Sequence, residues 1–466
     1  MKPQRNATQV SPAELARRFQ RQLTSETELD LDEAALLDVV GHYRERTMLD
    51  EALKVADRAL TKFAFSSRLY LAKAKVLTEL HVYEYALEVL EQAEVYGPGT
   101  PQINIQRAQV YAGLGLQDDA FAELDLIEDT DDPVLKSMRS LAEATIFEQL
   151  GRNNDMYFFL EQAIREWHGN DEALRLLWIC TELTGKHEQT EMLCEHVLQK
   201  DAYNAKAWYN LGHARYAQNK VDEALVALEY AYIINPRYEF AYREAGEISF
   251  ENKMYDRAIE IYEVMMEYIC CDNEVLLRLG QSYLHVESFT QARICINRVL
   301  TRTPGHDEAL YYSGLCYAAE QKWTPAVNAY RRAIATNDRN ELYYAGLAEA
   351  LVQTGDVARA EHYYQKAADT APEMHEHWLR YVAFLFETGR ALEGIAVLDE
   401  AEDHTVSPKL DYCRVVLMIA IGREADALRK LSELLQEDFD AHEIIFKISP
   451  ALEEHDLVNQ VIRCFA

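Results

Sequence analysis

"YNLGHARYAQNKVDEALVALEYAYIINPRYEFAYREAGEISFENKMYDRAIEIY", Tyr209 to Tyr262, contains one pattern twice. Gly212 returns as Gly246 and Ala224 as Ala258, each 34 residues on, with Pro236 between them. Small residues held at a fixed interval mark places where two backbones must come close. The interval extends far beyond this stretch. With Ala205 as position 1 of a 34-residue frame, position 20 reads Ala52, Ala86, Ala120, Met156, Thr190, Ala224, Ala258, Ala292, Ala326, Ala360, Gly394 and Ala427, with a two-residue slip before Met156 and a one-residue slip before Ala427. Ten of the twelve are Ala or Gly. Position 8 holds Ala74, Ala108, Ala144, Gly212, Gly246, Gly280, Gly314 and Ala348, with Val40, Trp178, Val382 and Val416 as departures. Position 15 holds Gly115, Gly151, Gly185, Gly355, Gly389 and Gly422, and position 32 holds Pro98, Pro236, Pro304 and Pro372.

Helical periodicity explains the pattern. In the frame from Ala205, Trp208, Leu211, Gly212 and Arg215 fall on one helical face. A second helix begins near position 18 and buries Ala224, Leu228 and Ala231. Small residues at positions 8 and 20 let two antiparallel helices close on each other. Gly at position 15 suits a left-handed helix C-cap, and Pro at position 32 ends the second helix. Pro325 sits at the start of a second helix, where its missing N–H is harmless.

The stretch "WYNLGHARYAQNKVDEALVALEYAYIINP" resembles the tetratricopeptide repeat, whose signature is about 34 residues with W-x2-L-G-x2-Y, then A-x3-F, then P. Arg215 stands where that family prefers Tyr. Frames begin near 33, 67, 101, 137, 171, 205, 239, 273, 307, 341, 375 and 408, those at 137, 171 and 408 being degenerate. The resemblance implies an all-α fold, an α-solenoid of about twelve antiparallel helix pairs forming a superhelix over 33–439. Residues 440–466 are expected to close the array as a helical pair interrupted by Pro450. Residues 1–32 form a basic arm with a short helix and a linker at 24–31. In the arm, Ser11, Pro12 and Glu14 make a capping box, and Leu15, Phe19 and Leu23 make an apolar stripe. Lys2, Arg5, Arg17, Arg18 and Arg21 against Glu14 make its first 23 residues basic. That arm has three readings: a cap on the first hairpin, an occupant of a groove in its own or a neighbouring copy, or a free tail.

Charge narrows the partners. A net charge of −31 opposes sequence-independent nucleic-acid binding and docking on anionic membranes, and leaves room for basic partners. Eight cysteines show neither a C-x-x-C pair nor zinc-type spacing, and most lie among apolar residues, as reduced thiols used for packing do. With no apolar N-terminal run and no stretch near the ~20 apolar residues a span requires, the expected location is cytoplasmic.

Motifs for chemistry are missing. There is no Gly-rich phosphate loop, no G-x-S-x-G and no H-E-x-x-H. His375 and His377 are two apart and do not share a helical face. The reading is therefore a protein with no catalytic residues, no metal and no cofactor.

What remains is surface. In relatives of the resembled family, positions 2, 5, 6, 9, 12 and 13 of the first helix line a groove that holds partner peptides. Carried over, they give Tyr209, Asn210, His213, Tyr216, Phe240, Arg243, Phe250, Arg278, Gln281, His285, Tyr311 and Tyr312. Tyr and Arg are frequent interface anchors. The same stripe also fits ordinary packing between repeats. A subclass of the family clamps the C-terminal carboxylate of heat-shock chaperones with Lys at position 5 and Asn at 9. Here frame 205 has Tyr209 and His213, and frame 67 has Leu71 and Lys75, so that clamp is not expected. The leading expectation is a scaffold or adaptor that binds a protein or peptide, one with a basic segment, in the groove. The alternatives are a peptide-responsive regulatory sensor and a non-catalytic subunit supporting a separate enzyme chain.

Overall fold

A computed structural model describes residues 12–24, 30–44, 46–128 and 130–465. Among them every regular element is a helix. The chain divides into two compact units, 1–248 and 249–466. In the first, α1 (Pro12–Thr24) precedes the hairpins α2 (Glu33–Arg44) with α3 (Leu49–Lys62), α4 (Ser67–Glu79) with α5 (Tyr83–Tyr96), and α6 (Pro101–Gly113) with α7 (Gln117–Asp125). It continues with α8 (Pro133–Gln149) and α9 (Asn153–Glu166), α10 (Asp171–Thr184) and α11 (His187–Lys200), and α12 (Ala205–Ala217) and α13 (Val221–Ile234). Helix α14 (Glu239–Glu251) carries the unit boundary and is followed in sequence by α15 (Tyr255–Tyr268). The second unit holds α16 (Asn273–His285) with α17 (Phe289–Arg302), α18 (Asp307–Ala319) with α19 (Trp323–Thr336), and α20 (Glu341–Gln353) with α21 (Val357–Thr370). It ends with α22 (His375–Glu387) and α23 (Ala391–Glu402), α24 (Pro408–Ala420) and α25 (Glu424–Glu437), then α26 (Ile444–Ile448) and α27 (Asp456–Arg463). The fold is an all-α solenoid of twelve helix pairs, α2 to α25.

The first helix of each pair begins where a sequence frame begins, with one exception. Helix α8 starts at Pro133, four residues ahead of its frame, because Asp132 caps it by accepting from the Val134 N–H at 2.9 Å. The turn between the helices of a pair is built one way throughout. Position 15 is left-handed in all twelve frames: Gly115, Gly151, Gly185, Gly355, Gly389 and Gly422, but also Thr47, His81, Asn219, Lys253, Glu287 and Gln321, with φ between 56° and 61° in the six that are not glycine. The turn geometry is thus set by the helix crossing, and half of the repeats accept backbone strain there.

The crossing is as tight as its small residues imply. A Cβ on Gly212 would lie 2.7 Å from Leu228 Cγ and 3.1 Å from the Ala224 carbonyl oxygen. A Cβ on Gly314 would lie 2.4 Å from the ring of Tyr330. The position-20 alanines are fully buried. Within each unit, first helices of successive pairs touch one another more than second helices do, so the first helices line the inner side.

Helix α1 packs onto the first pair. Leu15, Ala16 and Phe19 are buried in one core with Leu36, Val39, Val40 and Tyr43, and Gln20 Nε2 donates to Tyr43 Oη at 3.1 Å. Lys2, Arg5, the Ser11 cap and most of the 24–31 linker lie outside the described residues, as does the side chain of Leu23. At the other end Pro450 opens a 3-10 turn, Pro450–Glu454, between α26 and α27. Leu452, Val458 and Ile462 are buried with Leu431 and Leu434 of α25. Six cysteines are buried and two, Cys270 and Cys464, are exposed, all as free thiols. Among the described residues no helix is long and apolar enough to cross a membrane, and no group of His, Cys, Asp and Glu is arranged to hold a metal.

Candidate functional site: the inner faces of the first helices

The pair α10–α11 departs from the rule that closes its neighbours. Trp178 stands at position 8 and Thr190 at position 20, and α10 and α11 touch far less than α8 and α9 or α12 and α13 do. In place of an alanine contact there is a buried hydroxyl chain. Tyr157 Oη lies 3.0 Å from Thr190 Oγ1, Thr181 Oγ1 lies 2.7 Å from the same atom, and Thr181 Oγ1 donates to the Leu177 carbonyl at 2.8 Å. Trp178 turns toward α12 instead. Its ring lies edge-on to Tyr209, with centroids 6.5 Å apart, and edge-on to His213 at 5.6 Å.

Around that ring an aromatic wall assembles. Tyr209 meets Tyr238 at 5.3 Å and Phe240 at 6.4 Å, and Tyr238 meets Phe240 at 6.2 Å. Phe240 is 59% exposed, whereas Tyr209 is 4% exposed. Carboxylates border the wall. His213 Nδ1 lies 2.5 Å from Glu244 Oε1 and Nε2 lies 2.9 Å from Glu182 Oε1. Burial, together with the nearby charge of Glu244, pushes the phenol pKa values of Tyr209 and Tyr238 well above the usual range. For His213, burial opposes the charged form, but hydrogen bonding to Glu244 and the charges of Glu244 and Glu182 outweigh it and raise its pKa.

Further toward the N-terminus the inner side is charged and crowded. Arg44 chelates Glu79, with Nε 3.0 Å from Oε2. Lys75 is depressed by burial and by Arg44, and feels Glu172 of α10.

The expected groove residues fare differently. Tyr209 and Asn210 are buried: Tyr209 is covered by the aromatic wall, and Asn210 Nδ2 donates to the carbonyls of Leu174 at 2.9 Å and Lys206 at 2.8 Å. They are therefore packing between repeats and not open groove surface, because α10 approaches α12 closely there. His213, Tyr216 and Arg243 are half-buried, and Arg243 Nε donates to Glu239 at 2.8 Å. In the second unit Gln281 is also buried, tied to Arg278 at 3.1 Å and to Glu308 at 3.2 Å. The Arg278 guanidinium lies 5.0 Å from the Phe250 ring centre, and His285 stacks on Tyr255 at 4.1 Å. Tyr311 sits among Tyr312, Tyr330 and Tyr343, with centroids 5.4, 5.8 and 5.2 Å away, and burial pushes its phenol up to about 12. Tyr312 is half-buried.

Trp178, Glu182 and Tyr238 complete the wall and were not among the expected residues. Trp178 was visible as a large ring where the frame elsewhere keeps Gly or Ala. Tyr238 falls in the loop between frames, where no helical register points at it.

Comparison with known proteins places these features among helical repeats. A model described as tetratricopeptide repeat matches residues 209–265, 277–341 and 346–405. The chain is similar to BBSome complex member BBS4 of Bos taurus, at 23% identity over 355 residues covering 63% of this chain and 67% of that protein. It is also similar to anaphase-promoting complex subunit 3 of Schizosaccharomyces pombe, at 21% identity over 188 residues, covering 40% of this chain and only 28% of that protein. Among solved structures, YrrB, described as a TPR protein with an unusual peptide-binding site, aligns at 17% identity with a TM-score of 0.35, over 40% of this chain and 95% of its own. The Cut9–Hcn1 hetero-tetramer of APC/C aligns at 12% identity with a TM-score of 0.36, over 97% and 98%.

Proposed function

From a chain that belongs to the tetratricopeptide-repeat family, we propose a protein-binding scaffold whose inner face in the first unit holds a basic segment of a partner. One observation carries this reading: a strongly exposed Phe240 fixed at the edge of the Trp178–Tyr209–Tyr238 cluster, with Glu182 and Glu244 beside it. An exposed ring held rigid by other rings offers contact area at little entropic cost. Carboxylates on the same face steer a cationic segment, on a chain already at −31. The similarity to members of multiprotein complexes, the BBSome and the anaphase-promoting complex, supports a scaffold role.

The test is affinity capture from the native source with the full chain, read by mass spectrometry. Phe240→Ala is expected to leave the melting temperature near wild type and to lower recovery of the partner at least tenfold, an anchor-sized loss of about 1.4 kcal/mol or more. Tyr209→Ala should instead cost about 3 kcal/mol of stability, as removal of a buried aromatic ring does. Undiminished recovery with Phe240→Ala would refute the reading.

A further inference from the structure

His213 touches a carboxylate with each of its ring nitrogens. Nδ1 is 2.5 Å from Glu244 on α14, and Nε2 is 2.9 Å from Glu182 on α10. A neutral imidazole has one N–H and one lone pair, so it can donate to only one of them. The other contact would then set a lone pair against a carboxylate oxygen. Both contacts are attractive only when both nitrogens carry protons. The side chains of His213 and Glu244 are 16% and 17% exposed, so water does little to relieve a mismatched contact there, while Glu182 is 48% exposed.

We propose that His213 is a protonated clasp joining the inner faces of α10, α12 and α14, closed as the imidazolium and opened by loss of one proton. The charged and titratable groups around it come from four helices. Helix α10 brings Glu182. Helix α11 brings His187, whose Nδ1 is 3.7 Å from the same Glu182 carboxylate. Helix α12 brings Tyr209, whose phenol interacts with Glu244, and α14 brings Glu244 itself. Burial first, and then the charge of Glu244, push the phenols of Tyr209 and Tyr238 well above their usual range, away from the range in which an imidazole titrates.

The clasp starts on α10, the helix that also carries Trp178, and runs to α12 and α14. Trp178 lies edge-on to the His213 ring, so closing the clasp also fixes the aromatic wall. When it opens, one carboxylate beside that wall is released and the local charge falls by one. Any effect of this on docking rests on the binding reading above, whereas the clasp does not, and its test involves no partner.

The sign follows from the direction of the shift. A histidine whose folded pKa is raised contributes stability that is complete below its unfolded value of about 6.5 and is lost as pH rises through the folded pKa. The experiment is NMR titration of the full chain with 13C-labelled histidine, the His213 signal being assigned by its disappearance in His213→Gln. The expected midpoint lies above the ordinary ~6.5. Between about pH 6 and pH 9, the wild-type melting temperature should fall further than that of His213→Gln. Glu182→Gln, at an exposed residue, keeps the fold and should lower the His213 midpoint, so the proposal stays testable if His213→Gln folds poorly. A midpoint at or below ~6.5 in the wild type, or one unmoved by Glu182→Gln, would overturn the clasp.

Discussion

The pairs α10–α11 and α12–α13 are consecutive in the first unit and use the same frame in opposite ways. In α12–α13, Gly212 meets Ala224 and Leu228 with no room for a methyl group, and the two helices close. In α10–α11, Trp178 and Thr190 occupy those positions, and the helices stand apart with hydroxyl groups between them. The closed pair presents Tyr209 and His213 of α12 on the inner face. The open pair sends a large ring and Glu182 toward the next repeat, and the aromatic wall and the His213 clasp form where these meet Tyr209 and His213 of the closed pair. A departure from the packing rule is therefore where this chain builds something other than a repeat.

The largest test of that contrast is Gly212→Leu. It asks the closed pair to do what the open pair does, without the compensating separation. Overpacking a helix crossing with a side chain of this size should cost about 3 kcal/mol, the upper end of the usual range. Circular dichroism during denaturant titration should show the loss. A change under about 1 kcal/mol would mean that the pair can open as easily as its neighbour, and that small residues at position 8 are not what holds it shut.

A smaller test uses the turns, which the two pairs share. Gly185 in the open pair and Asn219 in the closed pair are both left-handed, at φ 67° and 61°. Gly185→Ala should cost about 1 kcal/mol, since a Cβ in this conformation is strained and nothing nearby offsets it. Asn219→Gly should gain only a few tenths, because Asn tolerates the left-handed region better than other side chains. Equal and negligible effects would show that the turn of the open pair is not held to the geometry of the rest.

The sequence carried the fold because packing sets a strict interval. The position-8 and position-20 residues mark where helices cross, and the left-handed turns fall in register even where glycine is absent, as at Lys253, Glu287 and Gln321. The site was only partly legible. Helical register placed His213 and Phe240 on the inner face, but register says nothing about how closely the next helix approaches. Tyr209, Asn210 and Gln281 were therefore expected to be open and are buried. At position 8 Trp178 departs from the repeat like Val40, Val382 and Val416, and only the size of its ring signals a role beyond the repeat. Glu182 and Glu244 acquire their role only once three helices from different frames are brought to one histidine.

The proposed role of the inner aromatic wall of the first unit is to hold a partner. It is tested most directly by site-specific photo-crosslinking of the full chain in its native source. A benzophenone amino acid is placed at Phe240 on that wall, or at Met192, which is exposed on the second helix of the open pair. Crosslinked peptides are then sequenced by mass spectrometry. Phe240 should capture one partner segment rich in Lys or Arg, and Met192 should not. Capture of the partner through Met192, with nothing captured at Phe240, would contradict it.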